Sequence, residues 1–194
     1  MKSHDAAQSA VFSKRAVTAS ISLTTRRSSD DQFVELFNEQ HPRLVRYIGR
    51  LANDFELGAD IAQSAFVRLY QRGSVPDAPG AWLVTVAMNL LRNAKSAEQR
   101  RHRLLTVERA ERVHADSAPS PDAAVQSEEA KQRVRRVIRE LPEREQRMLL
   151  LRAEGYSYRE IALALDVHEA SVGTLIARAQ REFRQRYEEG SHAP

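Results

Sequence analysis

The stretch YSYREIALALDVHEASVGTLIARA, residues 156–179, constrains the fold more than any other part of this chain. Ser157 and Glu160 have the spacing of a capping box, in which a hydroxyl and a carboxylate satisfy backbone N–H groups at a helix start. Ile161 and Leu165 follow at helical spacing on an inward face, and Ala162 is small enough for a second helix to approach closely. After a turn at 166–168, Val172, Ile176 and Ala179 form the inner stripe of the next helix. Together these features predict a helix-turn-helix, whose second helix enters the major groove of duplex DNA. The alternative is an ordinary helical hairpin, which accounts less well for the capping pair, the small residue and the basic end taken together.

The rest of the chain fits an all-α fold. Only seven glycines and seven prolines occur in 194 residues, too few for the many tight turns of a strand-rich fold. Phe33, Leu36, Phe37, Leu44, Ile48 and Leu51 recur at helical spacing from Asp30 onward, with Pro42 expected to kink or split that helix. A second helix is predicted from about Leu57 to Arg72, with Ile61, Ala65 and Leu69 on its inner stripe. GSVPDAPG (73–80) is a loop of defined shape, because two prolines and two glycines do not continue a helix. A third helix starts near Ala81; its first half, AWLVTVAMNLL, is apolar almost all round, and its second half is basic to Arg103. Further helices are predicted near 128–140, 143–153, 157–165 and 169–187.

This pattern divides the chain into a disordered basic arm (1–29), a helical module (30–103), a flexible linker (104–126), a second helical module (127–187) and a tail (188–194). The linker is marked by HADSAPSPDAAVQ, and the arm is a possible tether to nucleic acid. No repeat relates the two modules.

Composition narrows the function. Cysteine is absent, which excludes disulfides, thiolate metal sites and a cysteine nucleophile and fits a reducing cytoplasm. No run of residues is long and apolar enough for a membrane span, and the arm lacks the apolar core of an export signal. No phosphate-binding glycine loop or HExxH motif occurs, and the six histidines are scattered, so no catalytic residue, metal, cofactor or small-molecule substrate is expected. Glu128, Glu129, Glu143 and Glu145 lie among arginines and read as solvated ion pairs.

The net charge of +4 is modest, but it is concentrated. Arg92–Arg103 carries five cationic residues against one acidic, and Ala170–Tyr187 carries four against one. Two separate basic stretches on helices suggest two contacts with a polyanion, against the alternative of solvated helix faces. The loop at 73–80, followed by Trp82, Asn89, Arg92, Asn93, Arg100 and Arg101, suits an opened single strand, since bases stack or enter pockets while arginines hold phosphates. Trp82 by itself reads first as a core residue. Asn89, set in an apolar run, reads equally as a buried hydrogen-bonding residue.

The two modules together resemble the bacterial sigma-70 family, and within it the extracytoplasmic-function (ECF) subgroup. DIAQSAFVRLY (60–70) is similar to the family's core-polymerase-binding region 2.2, and AWLVTVAMNLLRN (81–93) to regions 2.3–2.4. ELPEREQRMLLLRAEGYSYREIALALDV (140–167) is similar to region 4. Nothing resembles regions 1 or 3. The resemblance implies a bacterial cytoplasmic protein that binds core RNA polymerase and directs promoter recognition and opening without being an enzyme. It implies that Asp60, Gln63, Phe66 and Arg68 meet the clamp helices of the beta-prime subunit, with the beta subunit a further partner. Gly73, Ser74, Val75, Asp77, Trp82, Asn89, Arg92, Asn93, Arg100 and Arg101 would handle the minus-ten element of promoter DNA. Ser171, Thr174, Arg178 and Arg181 would read the minus-thirty-five element, and an anti-sigma factor is a candidate partner.

Two departures stand out. Where many members carry Thr-Val-Lys-Ser-Arg in the recognition helix, this chain has Ser171-Val172-Gly173-Thr174-Leu175, and Asn93 replaces a common Asp. The competing readings are a dimeric helix-turn-helix regulator, which would have no use for residues 57–103, and a protein-binding helical adaptor, which would not need basic helix ends.

Overall fold

The computed structural model describes residues 30–105 and 123–190. The arm, the central part of the linker and the last four residues lie outside the described residues. Among the described residues there are seven helices and no strand: α1 (30–52), α2 (Phe55–Arg72), α3 (Pro79–Leu105), α4 (Ala123–Glu140), α5 (Glu143–Ala153), α6 (Tyr158–Leu165) and α7 (Glu169–Glu189). Residues 30–52 are helical throughout, Pro42 included, so of the expected kink or split the split does not occur. Helix α3 starts two residues before Ala81 and extends past Arg103, and α4 starts at Ala123, ahead of the expected 128. Both ends of the predicted linker therefore belong to helices.

The chain divides into two compact units at His41/Pro42. In the first, Phe37 stacks on His41 with ring centroids 4.5 Å apart, and burial lowers the His41 pKa from its ordinary value. Gln40 is buried and donates to the Glu39 carboxylate at 3.0 Å.

The second unit contains everything from Pro42 onward. Asp54 caps α2 by accepting from the Leu57 N–H at 2.9 Å, and Gly73 closes it in the left-handed region at φ 71°. The predicted stripe of Ile61, Ala65 and Leu69 is buried, facing a core with Leu44, Tyr47 and Ile48 of α1 and Leu83, Val84, Ala87 and Leu91 of α3. Full burial of each large apolar side chain stabilises the fold by about 1.5–3 kcal/mol relative to exposure. Helices α1 and α2 cross closely at a pair of glycines. A Cβ on Gly58 would lie 2.7 Å from the Gly49 backbone nitrogen, so no side chain fits there.

In the region 4-like part, α7 packs against α4, α5 and α6. Val137, Leu141, Met148, Leu151, Tyr156 and Ile161 are buried in this part of the chain. The capping box is formed in full: the Ser157 hydroxyl accepts from the Glu160 N–H at 3.2 Å, and the Glu160 carboxylate accepts from the Ser157 N–H at 2.8 Å. Helix α6 ends at Asp166 in the left-handed region. Val172, Ile176 and Ala179 face inward as the periodicity predicts, while Leu165 is only half-buried. Helix α6 also packs against α3, which brings the two modules together within this unit.

Candidate nucleic-acid interface

Helix α3 carries the first basic surface. The loop before it is shorter than predicted, since Pro79 and Gly80 already lie in the helix. Ser74 accepts from Arg72 Nε at 3.3 Å, the Arg72 guanidinium sits 5.8 Å from the Trp82 ring centroid, and Val75 is exposed. Gly73 and Asp77 are exposed as well. Trp82 is half-buried, neither sealed in the core nor free of it. Asn89 is exposed, which corrects the reading of a buried amide: an apolar sequence neighbourhood does not fix which way one position on a helix faces. Its Oδ1 accepts from Arg92 Nη1 at 2.9 Å, laying the arginine along the helix. Asn93, Arg100 and Arg101 are exposed further along. At 1.5 Å per residue the surface from Trp82 to Arg100 extends about 27 Å.

Helix α7 carries the second. Ser171, Thr174, Arg178 and Arg181 are all exposed, at intervals of three and four residues that keep them on one face, opposite Val172, Ile176 and Ala179. Gly173 is half-buried at the rim of this face, and a Cβ there would lie 3.5 Å from Cε2 of Tyr158, an ordinary contact.

On α2, Asp60, Gln63 and Arg68 are exposed and form a polar outer face with the exposed Val67 and Tyr70. Phe66 is 2 % exposed. Its side chain is part of the core, on the inner side of the helical turn with Ala62 and Leu69, so it is not presented on the outer face where a polymerase contact was expected. The structure also holds a cluster that sequence reading missed, Arg43, Arg46 and Arg50 of α1 converging on Glu154 after α5. Arg46 Nε lies 2.7 Å and Arg50 Nη1 2.6 Å from the two Glu154 carboxylate oxygens, and Arg43 Nε donates to the Glu154 carbonyl at 3.0 Å. The spacing of the arginines along one helix face was the available signal. Their partner, more than a hundred residues away, had none.

Among the described residues no group of His, Cys, Asp or Glu side chains could hold a metal, and no helix is long and apolar enough to cross a membrane. Of the four acidic residues singled out in the sequence, two form ion pairs with nearby cations: Glu128 with Lys131 and Arg135, Glu143 with Arg147.

Two family models match the chain, "Sigma-70 region 2" over residues 36–101 and "Sigma-70, region 4" over residues 131–182. The RNA polymerase sigma-H factor of Pseudomonas aeruginosa is 33% identical over 153 residues, which cover 73% of this chain and 78% of that protein. The chain belongs to the sigma-70 family. The ECF RNA polymerase sigma-E factor of Escherichia coli K12 is 32% identical over 133 residues, covering 62% of this chain and 69% of that factor, in keeping with the ECF subgroup. A solved structure of the sigma factor RpoE in complex with the anti-sigma factor NepR from Bartonella quintana shares the fold, with a TM-score of 0.54 at 17% identity over 81% of this chain and 97% of that one. As a sigma factor the protein acts in transcription initiation. The region 2 match removes the alternative of a plain helix-turn-helix regulator, which would have no use for those residues.

Proposed function

We propose that this sigma factor binds core RNA polymerase through the outer face of α2, opens and holds the minus-ten element with the 73–78 loop and α3, and reads the minus-thirty-five duplex with α7. The role is one of binding rather than catalysis, carried out in the bacterial cytoplasm, with the beta-prime clamp helices and the beta subunit as polymerase partners and an anti-sigma factor as a candidate regulator. The observation that carries this reading is the presence of two exposed basic surfaces of different form on separate helices. The α3 surface, with a half-buried Trp82 and arginines beyond it, suits a strand whose bases are unstacked. The α7 face has short hydroxyl side chains toward one end and arginines toward the other, which suits base edges and flanking phosphates of intact duplex. Phe66 positions α2 from within, while Asp60, Gln63 and Arg68 present its outer polar face.

The test is transcription of a genomic fragment library by core polymerase with and without the protein. Defined start sites that depend on the protein are expected, and Asp60→Lys should weaken core binding in a pull-down while leaving the melting temperature unchanged. Absence of protein-dependent starts would overturn the reading. Unchanged core binding by the Asp60 variant, with unchanged stability, would remove Asp60 from the polymerase contact.

A further inference from the structure

The Arg43/Arg46/Arg50 cluster joins two parts of the chain that the proposed function requires to work apart. The arginines lie in the stretch matched by sigma-70 region 2, and Glu154 lies in the stretch matched by region 4. The Glu154 side chain is only 3% exposed, and both ion-pair partners of its carboxylate come from the other module. Arg43 lies over the Tyr156 ring at 4.3 Å, and Tyr156 meets Tyr47 edge-on with centroids 6.5 Å apart. Tyr47 in turn donates to Met88 Sδ of α3 at 3.5 Å. Residues 154–156 therefore plug into the α1/α3 surface while α6 packs against α3.

Resting on the proposed function, the geometry conflicts with simultaneous promoter contact. Elements centred at minus ten and minus thirty-five are separated by about 85 Å of duplex at about 3.4 Å per base pair. Helices α3 and α6 are in direct contact. The chain between Leu105 and Ala123 can span roughly 60 Å when extended, in addition to the lengths of the helices on either side, so covalent connection does not prevent separation. The docked seam does.

We infer that Glu154 and its three arginines form an autoinhibitory latch that holds region 4 against region 2 until promoter engagement on the polymerase draws them apart. The latch acts on distance, since Asp60, Gln63 and Arg68 on α2 and Ser171, Thr174, Arg178 and Arg181 on α7 stay exposed while it is closed. Its chemistry suits reversal. A buried ion pair gains little net stability over its hydrated ions, yet it fixes orientation because an unpaired buried carboxylate is costly. Arg46 and Arg50 remain 47% and 45% exposed, so solvent and salt reach the pair. The seam is also incompletely packed: a cleft of about 1050 Å³, lined by Phe55, Val134, Ile138, Leu149 and Phe183 among others, runs beside Arg50.

The native chain has no cysteine, so dyes on Gln71→Cys in α2 and Gln185→Cys in α7 report the separation of the modules in the full-length protein by energy transfer. High transfer is expected for the free parent protein, falling with added core polymerase and fragment-library DNA. Glu154→Arg, which places a fourth cation in the cluster, should lower transfer in the free protein, and adding Arg46→Glu should restore it. Glu154→Gln should lower transfer part-way. In run-off transcription from the fragment library, the Glu154→Arg protein should reach half-maximal yield at a concentration at least threefold lower than the parent, because the apparent affinity scales with the population of the competent form. A folded Glu154→Arg protein with parental transfer and parental half-saturation would overturn the latch. Transcription by neither protein would instead count against the sigma reading, with the transfer measurement still deciding whether Glu154 holds the modules together.

Discussion

Helices α3 and α7 each combine a buried surface with a basic one, but they divide it differently. In α3 the division runs along the length: Leu83, Val84, Ala87, Met88 and Leu91 are buried, and beyond them Arg92, Asn93, Arg100 and Arg101 are exposed. In α7 it runs round the circumference, with Val172, Ile176 and Ala179 beneath Ser171, Thr174, Arg178 and Arg181. A lengthwise division projects a basic rod from the core, which an unpaired strand can follow. A circumferential division seats one ridge of side chains on a supporting layer, as insertion into a major groove needs. The geometry of the partition thus separates two modes of nucleic-acid binding that net charge alone does not.

The largest effects should come from breaking the buried parts. Leu83→Ala and Ile176→Ala should each destabilise by about 2–5 kcal/mol, through lost burial and the cavity left behind. Arg100→Ala and Arg178→Ala should leave stability within about 0.5 kcal/mol of the parent. Urea unfolding of the four variants checks this. On α3 the cost should depend on distance along the helix, and on α7 on angle around it; a stability cost at Arg100 would show that the basic half of α3 is held by packing.

Much of this was legible in the sequence for a local reason. Ser157 and Glu160, the Val172/Ile176/Ala179 stripe and the Ile61/Ala65/Leu69 stripe act within one or two turns of helix, and the structure places all of them as their spacing predicts. What was not legible is long-range or directional. Asn89 read equally as a buried amide or a nucleic-acid contact because its sequence neighbours are apolar, yet those neighbours occupy the other sides of the helix. Phe66 looked available by resemblance, although its turn position aligns it with the core. Glu154 carried no signal of its own in the sequence, since the arginines that bury it lie on α1.

Each module also holds one buried tyrosine, Tyr47 beside α3 and Tyr156 before α6, and burial pushes both phenol pKa values well above their ordinary value. The sign is that of a raised folded-state pKa: the contribution is complete below the unfolded value near 10 and is lost as pH rises past it. Above that point the unfolded chain ionises and the folded one does not, so each tyrosine should cost about 1.4 kcal/mol per pH unit. Melting temperatures from pH 8 to 11 should fall accordingly, and Tyr47→Phe or Tyr156→Phe should each flatten the decline. A decline unaffected by either change would assign the alkaline loss to other groups.

Smaller effects distinguish the two basic surfaces. Arg178→Ala should reduce the slope of log affinity against log salt by about 0.9 on duplex DNA, the loss of one phosphate contact, and Arg100→Ala should reduce it by about 0.7 on a single-stranded minus-ten oligonucleotide. Both are measured on the holoenzyme with fluorescent DNA. If each change altered both slopes equally, the contrast between α3 and α7 would have no functional meaning.

The smallest effect expected is at Gly173, on the rim of the α7 face. Glycine inside a helix costs about 1 kcal/mol relative to alanine, so its presence requires a reason. The protein itself supplies none: the backbone there is not in the left-handed region, and a Cβ would make only an ordinary 3.5 Å contact with the Tyr158 ring. Either DNA approaches the backbone too closely for a side chain, or the helix lacks the phosphate contact that the lysine implied by the family resemblance would make. Gly173→Lys separates these. In both cases stability should rise by a few tenths of a kcal/mol or more, because lysine is the better helix former and its stem can lie along Tyr158 with the ammonium in water. If a contact is missing, the variant should bind all duplex sequences more tightly and steepen the salt slope by about 0.9. Close approach predicts weaker binding, most of all on the strongest promoter. The missing contact is the expected outcome, because Leu175, like Gly173, departs from the basic residue that the family resemblance implies and the exposed cations of this face begin only at Arg178. A variant that gains stability with affinity and slope unchanged would place Gly173 outside the DNA-reading ridge, narrowing that ridge to Ser171, Thr174, Arg178 and Arg181.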